Sequence, residues 1–320
     1  MPYSRSIIRE GEVKYVKKYL LQRLLQTIVV LVGITLIVFI ILHLTGDPTH
    51  LLLPLEATKE EITLFRHQMG FDKPLYAQYL HFLKGVIHGD FGQSLRHGQP
   101  ALYLVVERLP ATIELTVAAL AIALAIAIPV GILSAVKPNT STDHIGMIVA
   151  LMGQSMPIYW SGLMLILLLT VKLNLLPAFG RSGLHSLIMP AISLGFFSMA
   201  RIVRVTRSSM ISVLGKDFIR TAKAKGLTNY RVIVLHAFKN AAIPIITLVG
   251  MELGTLLGGA VITETIFAWP GVGRLAIQAI YNRDFPVVQA AVFTLAVIFV
   301  LINLLVDILY TYLDPRVRYG

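Results

Sequence analysis

The sequence predicts an all-α membrane protein with six transmembrane helices. Three observations carry this. Apolar residues make up 56% of the 320 residues and charged residues only 14%, against roughly 25% charged in soluble domains. The apolar residues fall in six long runs. The 28 lysines and arginines outnumber 17 acids, for a formal charge of +11, and they collect on one side of those runs. Cysteine is absent, which removes disulfide scaffolds, thiolate metal sites and cysteine nucleophiles together.

The runs follow in order. Leu24 to Leu42 and Leu115 to Val136 carry no charge, nor does Ile145 to Val171. Ser182 to Ala200 holds only His185 as a titratable group, Ala241 to Thr263 is broken by Glu252, and Phe285 to Val306 is again uncharged. A helix of about 20 apolar residues crosses a hydrocarbon core of ~30 Å, and each run is of that order. The spans are placed at 19–44, 112–136, 144–171, 182–207, 241–263 and 285–311. The first is not a cleaved signal: its apolar stretch is too long for one and no small-x-small pattern follows it. Thr45-Gly-Asp-Pro-Thr49 follows instead.

Basic residues set the orientation. With the N-terminus inside, segments 1–23, 137–144, 201–240 and 312–320 hold 18 lysines and arginines, and the outside segments hold 10. Residues 201–240 alone hold nine, with one acid, Asp217. Segments 1–18 and 312–320 are therefore cytoplasmic, as is the loop 208–240. The excess is an orientation signal, and a nucleic-acid partner is not expected.

Outside lie residues 45–111 and a loop at 264–284. Residues 56–69 have helical periodicity, and 75–88 form a second helix with Leu75, Tyr79, Phe82, Leu83 and Val86 on one side. Both fit a small external helical lobe, or a cap over the helix ends. Five of nine histidines fall here: His50, His67, His81, His88 and His97. They lack ligand spacing, so no metal site is expected.

The cytoplasmic loop is the most informative stretch. Residues 216–225 suit a short helix, Gly226 its left-handed end, and Thr228 or Asn229 the cap of a second helix. Phe218, Ala222 and Gly226 lie four apart, with Arg220 and Lys223 on the flank. A face that is small at Ala222 and Gly226 lets a partner approach the backbone. A basic loop attracted to anionic lipid fits the composition equally well. His236, Asn240 and Pro244 form a stripe leading into the fifth span.

Nucleotide chemistry has no motif here. Gly215-Lys216 is followed by Asp217, and there is no Gly-x4-Gly-Lys-Ser/Thr. Gly271-Val-Gly-Arg-Leu-Ala276 matches a dinucleotide fingerprint in letters only, without a preceding strand. No His-Glu-x-x-His or Gly-x-Ser-x-Gly occurs. Glu252, mid-span, must face a cavity or a partner, because an acid at that depth costs about 2.5–3.5 kcal/mol. It either lines a pathway or bonds a neighbouring helix. Gly250, Gly254 and Gly258 make a small-residue face, which puts Met251 and Thr255 near a pathway and the fifth span at a seam with a partner chain. Glu264, Trp269 and Pro270 are placed at an outer gate.

Arg220-Thr-Ala-Lys-Ala-Lys-Gly-Leu227, with His236 and Asn240-Ala-Ala-Ile-Pro244, closely resembles the coupling loop of ABC importer permeases of the dipeptide/oligopeptide/nickel type. The general importer motif has Glu-Ala-Ala where this chain has Arg220-Thr221-Ala222, and the Arg-Thr-Ala form belongs to the peptide branch. Phe71 to Tyr79, Gly89-Asp-Phe-Gly-Gln-Ser94, Glu264 to Gly273 and Asp314-Pro-Arg-Val-Arg318 resemble further parts of the same family, so that the resemblance covers roughly residues 17–320. It implies a type I ABC importer permease fold, with 112–311 as the core domain and a cytoplasmic coupling helix. Phe218, Arg220, Thr221, Ala222, Ala224, Lys225, Gly226, His236, Asn240 and Pro244 would then meet a cytoplasmic ATPase. It also implies a second, homologous permease subunit, two ATPase subunits that use ATP and Mg, and an extracytoplasmic solute-binding protein. The chain itself would bind no cofactor, catalyse nothing, and sit in a bacterial or archaeal inner membrane. Small peptides lead as cargo, with nickel or glutathione within the same pattern. An ion-coupled secondary transporter is the rival, and it calls for paired broken helices or inverted repeats, neither of which the sequence shows.

The orientation is directly testable in a chain without cysteine. Lys225→Cys is expected to react with a membrane-impermeant maleimide only after the cells are opened. Labelling of intact cells overturns the topology.

Overall fold

A computed structural model describes residues 3–44 and 57–313. Residues 45–56 and 314–320, with Thr45 to Thr49, His50 and Asp314 to Arg318, lie outside the described residues, and the 312–320 tail is covered only to 313.

The described chain is helical, with a single isolated bridge between Gln93 and Pro100. Helix α1 runs Tyr3–Leu44. α2 is Lys59–Met69, begun by a capping box in which Thr58 Oγ1 accepts from the Glu61 amide while the Thr58 amide donates to Glu61 Oε2. Pro74 caps α3, Leu75–Ile87. α4 is Ala101–Val136 and carries Pro110 and Pro129 without breaking. α5 is Ser141–Ser155, and α6 starts at Ile158 and winds on through a wider π turn to Lys172. α7 is Leu184–Leu214, α8 Asp217–Ala224, and α9 Asn229–Ile266, whose turn at Val232–Phe238 is again π. α10 is Val272–Tyr281 and α11 Phe285–Leu313.

Among the described residues, five helices are long and apolar enough to cross a membrane, or six if α5 and α6 count as one broken span. The third span differs from the single helix expected over 144–171: its halves meet at 105°. The cause is local. Pro157 disfavours helical geometry at the preceding residue, and Met156 is extended at φ −88°, ψ 127°. The second helix begins at Ala101, inside the 45–111 lobe.

The chain divides into two compact units. The first holds residues 1–104 and 279–304. In it α3 lies along α1. Tyr79 Oη is 3.1 Å from both the Val32 carbonyl and Thr35 Oγ1, and the His43 ring bonds the Phe39 carbonyl (2.8 Å) and Gln78 Oε1 (3.0 Å). These α1 residues belong to the apolar stretch Leu25–Leu44. α3 therefore flanks that stretch, and its composition suits this: it is apolar on more than one side, with Leu80 and Ile87 exposed. The turn Gly89–Ser94 is tied to the start of α11 by buried Asp284, which accepts from Ser94 Oγ (2.5 Å) and the Leu95 amide (3.1 Å).

The second unit holds residues 105–278 and 305–320. Its centre is α7, packed mainly against α9 and α5. The most apolar window of α7 is 67% buried, against 17% for α1. Small residues bring these helices close. A Cβ on Gly195 would stand 2.5 Å from the Ala119 carbonyl of α4, and one on Gly250 would collide with Val306 of α11. Gly254 is buried as well, while a Cβ on Gly258 would meet open space. The three glycines thus do not form one free face: at least Gly250 is consumed by packing within the chain.

Gly195→Val is expected to lower the apparent melting temperature of the detergent-solubilised chain, by overpacking worth about 1–3 kcal/mol. Gly258→Ala is expected to leave it unchanged. Intrinsic fluorescence on heating reads both.

Candidate functional site

The loop between α7 and α9 forms a short elbow. α8 ends at Gly226, whose φ of +77° suits glycine, and the Gly226 amide donates to the Lys223 carbonyl at 3.0 Å. Ile219 and Ala222, three apart, are 1% and 6% exposed. They pack in one apolar cluster with Ala135, Met210, Val232, Ala237 and Ala241. Phe218, Arg220, Thr221, Ala224, Lys225 and Gly226 are exposed. Ala222 therefore does not share an outward face with Phe218 and Gly226. Its small side chain lets α8 sit down on α9. The outward face is Phe218, Thr221 and Lys225, with Tyr230 exposed beyond it. The available signal was Ile219, an apolar side chain three positions before Ala222 and on the same face.

At the base of α9, Asn240 Nδ2 donates to the His236 carbonyl, 2.6 Å away. His236 is half-buried, Asn240 and Pro244 are exposed. The stripe is present, and its printed hydrogen bond closes within the helix instead of reaching a neighbouring loop. Further along, Met251, Thr255, Gly258, Ile262 and Thr265 form a continuous exposed row at helical spacing.

Glu252 points the other way, 1% exposed, with Oε1 3.0 Å from Arg201 Nε of α7. Sequence reasoning found the acid but not its partner. Arg201 is the first of three arginines spaced three apart on α7. Arg204 Nη2 donates to Gln154 Oε1 at 2.6 Å. Arg207 grips Asp143 through two hydrogen bonds of 2.6 Å, and Asp143 also accepts from the Asn139 amide at 2.9 Å. The spacing of these arginines was the available signal. It was absorbed into the count of basic loop residues.

Glu264, Trp269 and Pro270 are brought together at the C-terminal end of α9. The sequence reading puts them at a gate, but Glu264 and Trp269 are both fully buried. Glu264 Oε1 accepts from Thr112 Oγ1 at 2.6 Å, and Oε2 accepts from the Arg274 amide at 2.9 Å. Thr112 Oγ1 in turn accepts from the Val272 amide at 2.9 Å. Trp269 Nε1 donates to the Ala111 carbonyl at 2.8 Å. A side chain on Gly271 would collide with the Glu264 carboxylate. In this chain Glu264 and Trp269 form a buried knot that fixes α4 and the loop to α9, with Pro270 half-buried beside them. Thr112 was the residue missed.

The histidines do not converge. His43 is tied to Gln78, His67 Nδ1 meets Asp72 Oδ2 at 2.7 Å, and His88 bonds the Lys84 carbonyl. Among the described residues no three of His, Cys, Asp and Glu are grouped to hold a metal ion.

Asp143→Asn should cost about 3 kcal/mol, the low end of the range for breaking a buried pair, because the Arg207 side chain keeps 26% of its exposure. Adding Arg207→Gln is expected to return part of the loss. A double-mutant cycle in thermal unfolding checks both.

Residues 127–319 match the family described as "Binding-protein-dependent transport system inner membrane component", and residues 16–116 match its N-terminal counterpart. The chain is 43% identical to the dipeptide transport system permease protein DppB of Escherichia coli (strain K12), covering 94% of this chain and 99% of that protein. DppB of Alkalihalophilus pseudofirmus gives the same identity and coverage. The glutathione transport system permease protein GsiC of Escherichia coli (strain K12) is 38% identical over the same shares. Among solved structures, an inward-facing conformation of the MetNI methionine ABC transporter aligns with a TM-score of 0.57 at 18% identity, covering 66% of this chain and 97% of that chain. The fold is therefore shared with a chain of an ABC transporter. Taken over its whole length, the chain belongs to the binding-protein-dependent transport system inner membrane component family.

Proposed function

We propose that the chain is the permease subunit of an ATP-driven ABC importer and forms the membrane pathway for small peptides. The observation that carries this is the near full-length identity to dipeptide permeases. The glutathione permeases match almost as well, and glutathione is itself a small peptide, so both fall within one substrate class. Cargo would be delivered by an extracytoplasmic solute-binding protein. The pathway would be completed by a second, homologous permease subunit.

ATP and Mg belong to two partner ATPase subunits in this reading, and the chain works as a non-catalytic subunit. The exposed elbow supports it. Phe218, Thr221, Lys225 and Gly226 present a basic surface with one aromatic anchor, and such anchors carry much of the energy of an interface. From behind, Ile219 and Ala222 couple α8 to α9 through close packing, so a push on the elbow reaches the base of α9 at Asn240 and Pro244. The row Met251, Thr255 and Ile262 then faces the pathway or the partner permease. Glu252 is the charge that holds α9 to α7 behind that row. Glu264, Trp269 and Pro270 serve the outer gate by anchoring it. Both ends of the chain and the elbow lie in the cytoplasm of a multi-pass inner-membrane protein.

Thr221→Trp, on the exposed face, is expected to abolish co-purification of the ATPase subunits and peptide uptake into energised vesicles. Its thermal unfolding should match the parent chain. Full uptake in vesicles that lack any ATPase sinks the reading and favours an ion-coupled carrier.

A further inference from the structure

Two of the three arginines on α7 are matched by acids, Arg207 by Asp143 and Arg201 by Glu252. Arg204 is not. Its Nη2 donates to Gln154 Oε1 at 2.6 Å, and among the described residues no carboxylate forms an ion pair with it. Gln154 is a neutral amide, so it satisfies one N–H and leaves the charge uncompensated. Arg204 is half-buried, and its Nε and Nη1 are neither bonded among the described residues nor sealed from solvent.

This charge lies well inside a span. An arginine on a helix points its stem toward the helix N-terminus, so the fork stands deeper than its Cα and away from the elbow. Gln154 is eleven residues past Asp143 on α5, roughly 16 Å at 1.5 Å per residue. The adjacent Gly153 lies against Phe196, about two turns before Arg204 on α7: a Cβ on Gly153 would be 2.8 Å from the Phe196 carbonyl oxygen. Gln154 also adjoins the break in the third span. Ser155 and Pro157, on either side of extended Met156, are exposed in the chain, and exposed Tyr159 and Trp160 follow in the first turn of α6. Non-helical backbone at membrane depth is tolerated only against protein or in a water-filled cavity, and ionisable groups at that depth mark the paths of charged solutes.

We propose that Arg204 receives the C-terminal carboxylate of the cargo peptide as it passes the break, with Gln154 holding the guanidinium in place. The inference rests on the peptide-importer reading and names the group in this chain that reads the cargo's charge. A guanidinium that gives one N–H to an amide keeps an edge of its fork for a carboxylate. Arg207, with two bonds to Asp143, has its charge and its fork already matched, and Arg201 has its charge matched by Glu252.

The test uses the assembled importer, the chain with its partner permease and ATPase subunits, in proteoliposomes of phosphatidylcholine. A dipeptide ending in photoreactive benzoylphenylalanine is expected to label the segment 152–160 of the parent. The free acid should label about tenfold more strongly than the C-terminal amide, the size of one lost charge-assisted hydrogen bond. Arg204→Gln should bring the acid down to the level of the amide and raise the KM for ATP-driven uptake of the acid. Arg204→Lys should keep the preference for the acid. Equal labelling of the parent by acid and amide overturns the proposal, and this comparison needs no variant to fold. Labelling confined to other segments overturns it too, as it would if an acid of a partner chain covered Arg204. Loss of the acid's labelling on addition of phosphatidylglycerol also overturns it, and assigns Arg204 to a lipid phosphate. A parent complex that labels with the acid preference but takes up no peptide on ATP would fault the importer reading and leave the carboxylate site standing.

Discussion

The arginines of α7 hold together the half of the second unit next to the elbow. A guanidinium near the hydrocarbon boundary is tolerated only with a partner that matches its charge or its fork of donors. Arg207 has that match in the two oxygens of Asp143, Arg204 in Gln154 and Arg201 in Glu252. Two of the partners lie on α5 and one on α9, so the row fixes both neighbours of α7 in register. Sliding either helix by one turn would leave a buried carboxylate facing apolar side chains, which costs several kcal/mol. Alanine and glycine at the close contacts then allow the backbones to approach as near as the ion pairs require.

The same logic appears at the C-terminal end of α9 with different chemistry. Glu264 is satisfied there by a hydroxyl and a backbone amide instead of a cation. Because Thr112 both donates to Glu264 and accepts from Val272, one side chain closes α4, α9 and the following loop into a single hydrogen-bonded unit. Trp269 adds apolar burial and a bond to Ala111. Glu252 and Glu264 thus hold α9 to other elements, and the exposed positions Thr255, Gly258 and Ile262 lie between them.

The six spans were legible because run length alone decides them: an uncharged stretch of about 20 residues has few other uses. The elbow was legible because Gly226 marks the end of a short basic helix. The bend at Met156 was not. Pro157 follows the break, whereas Pro110, Pro129, Pro190 and Pro244 stay inside continuous helices. Which proline breaks a helix depends on the packing around it, and that is set by distant residues. The inward turn of Ala222 was hidden because alanine suits a close partner and a close neighbour equally. Glu252 and Glu264 were visible as buried acids, but their partners Arg201 and Thr112 are 51 and 152 residues away in the chain.

The length of α9 has a mechanical consequence. From Asn229 to Ile266 it is about 55 Å at the usual rise per residue, and the Glu264 knot pins its C-terminal end. A bar pinned at one end turns about that end, carrying α7 with it at the Arg201–Glu252 pair, so a displacement at the elbow of a few ångströms tilts it by only a few degrees. Met251, about two-fifths of the way from the pin, then moves by about two-fifths of the displacement. The ratio is set by where Glu264 stands relative to Gly226, and an exposed residue nearer the pin would move less for the same push.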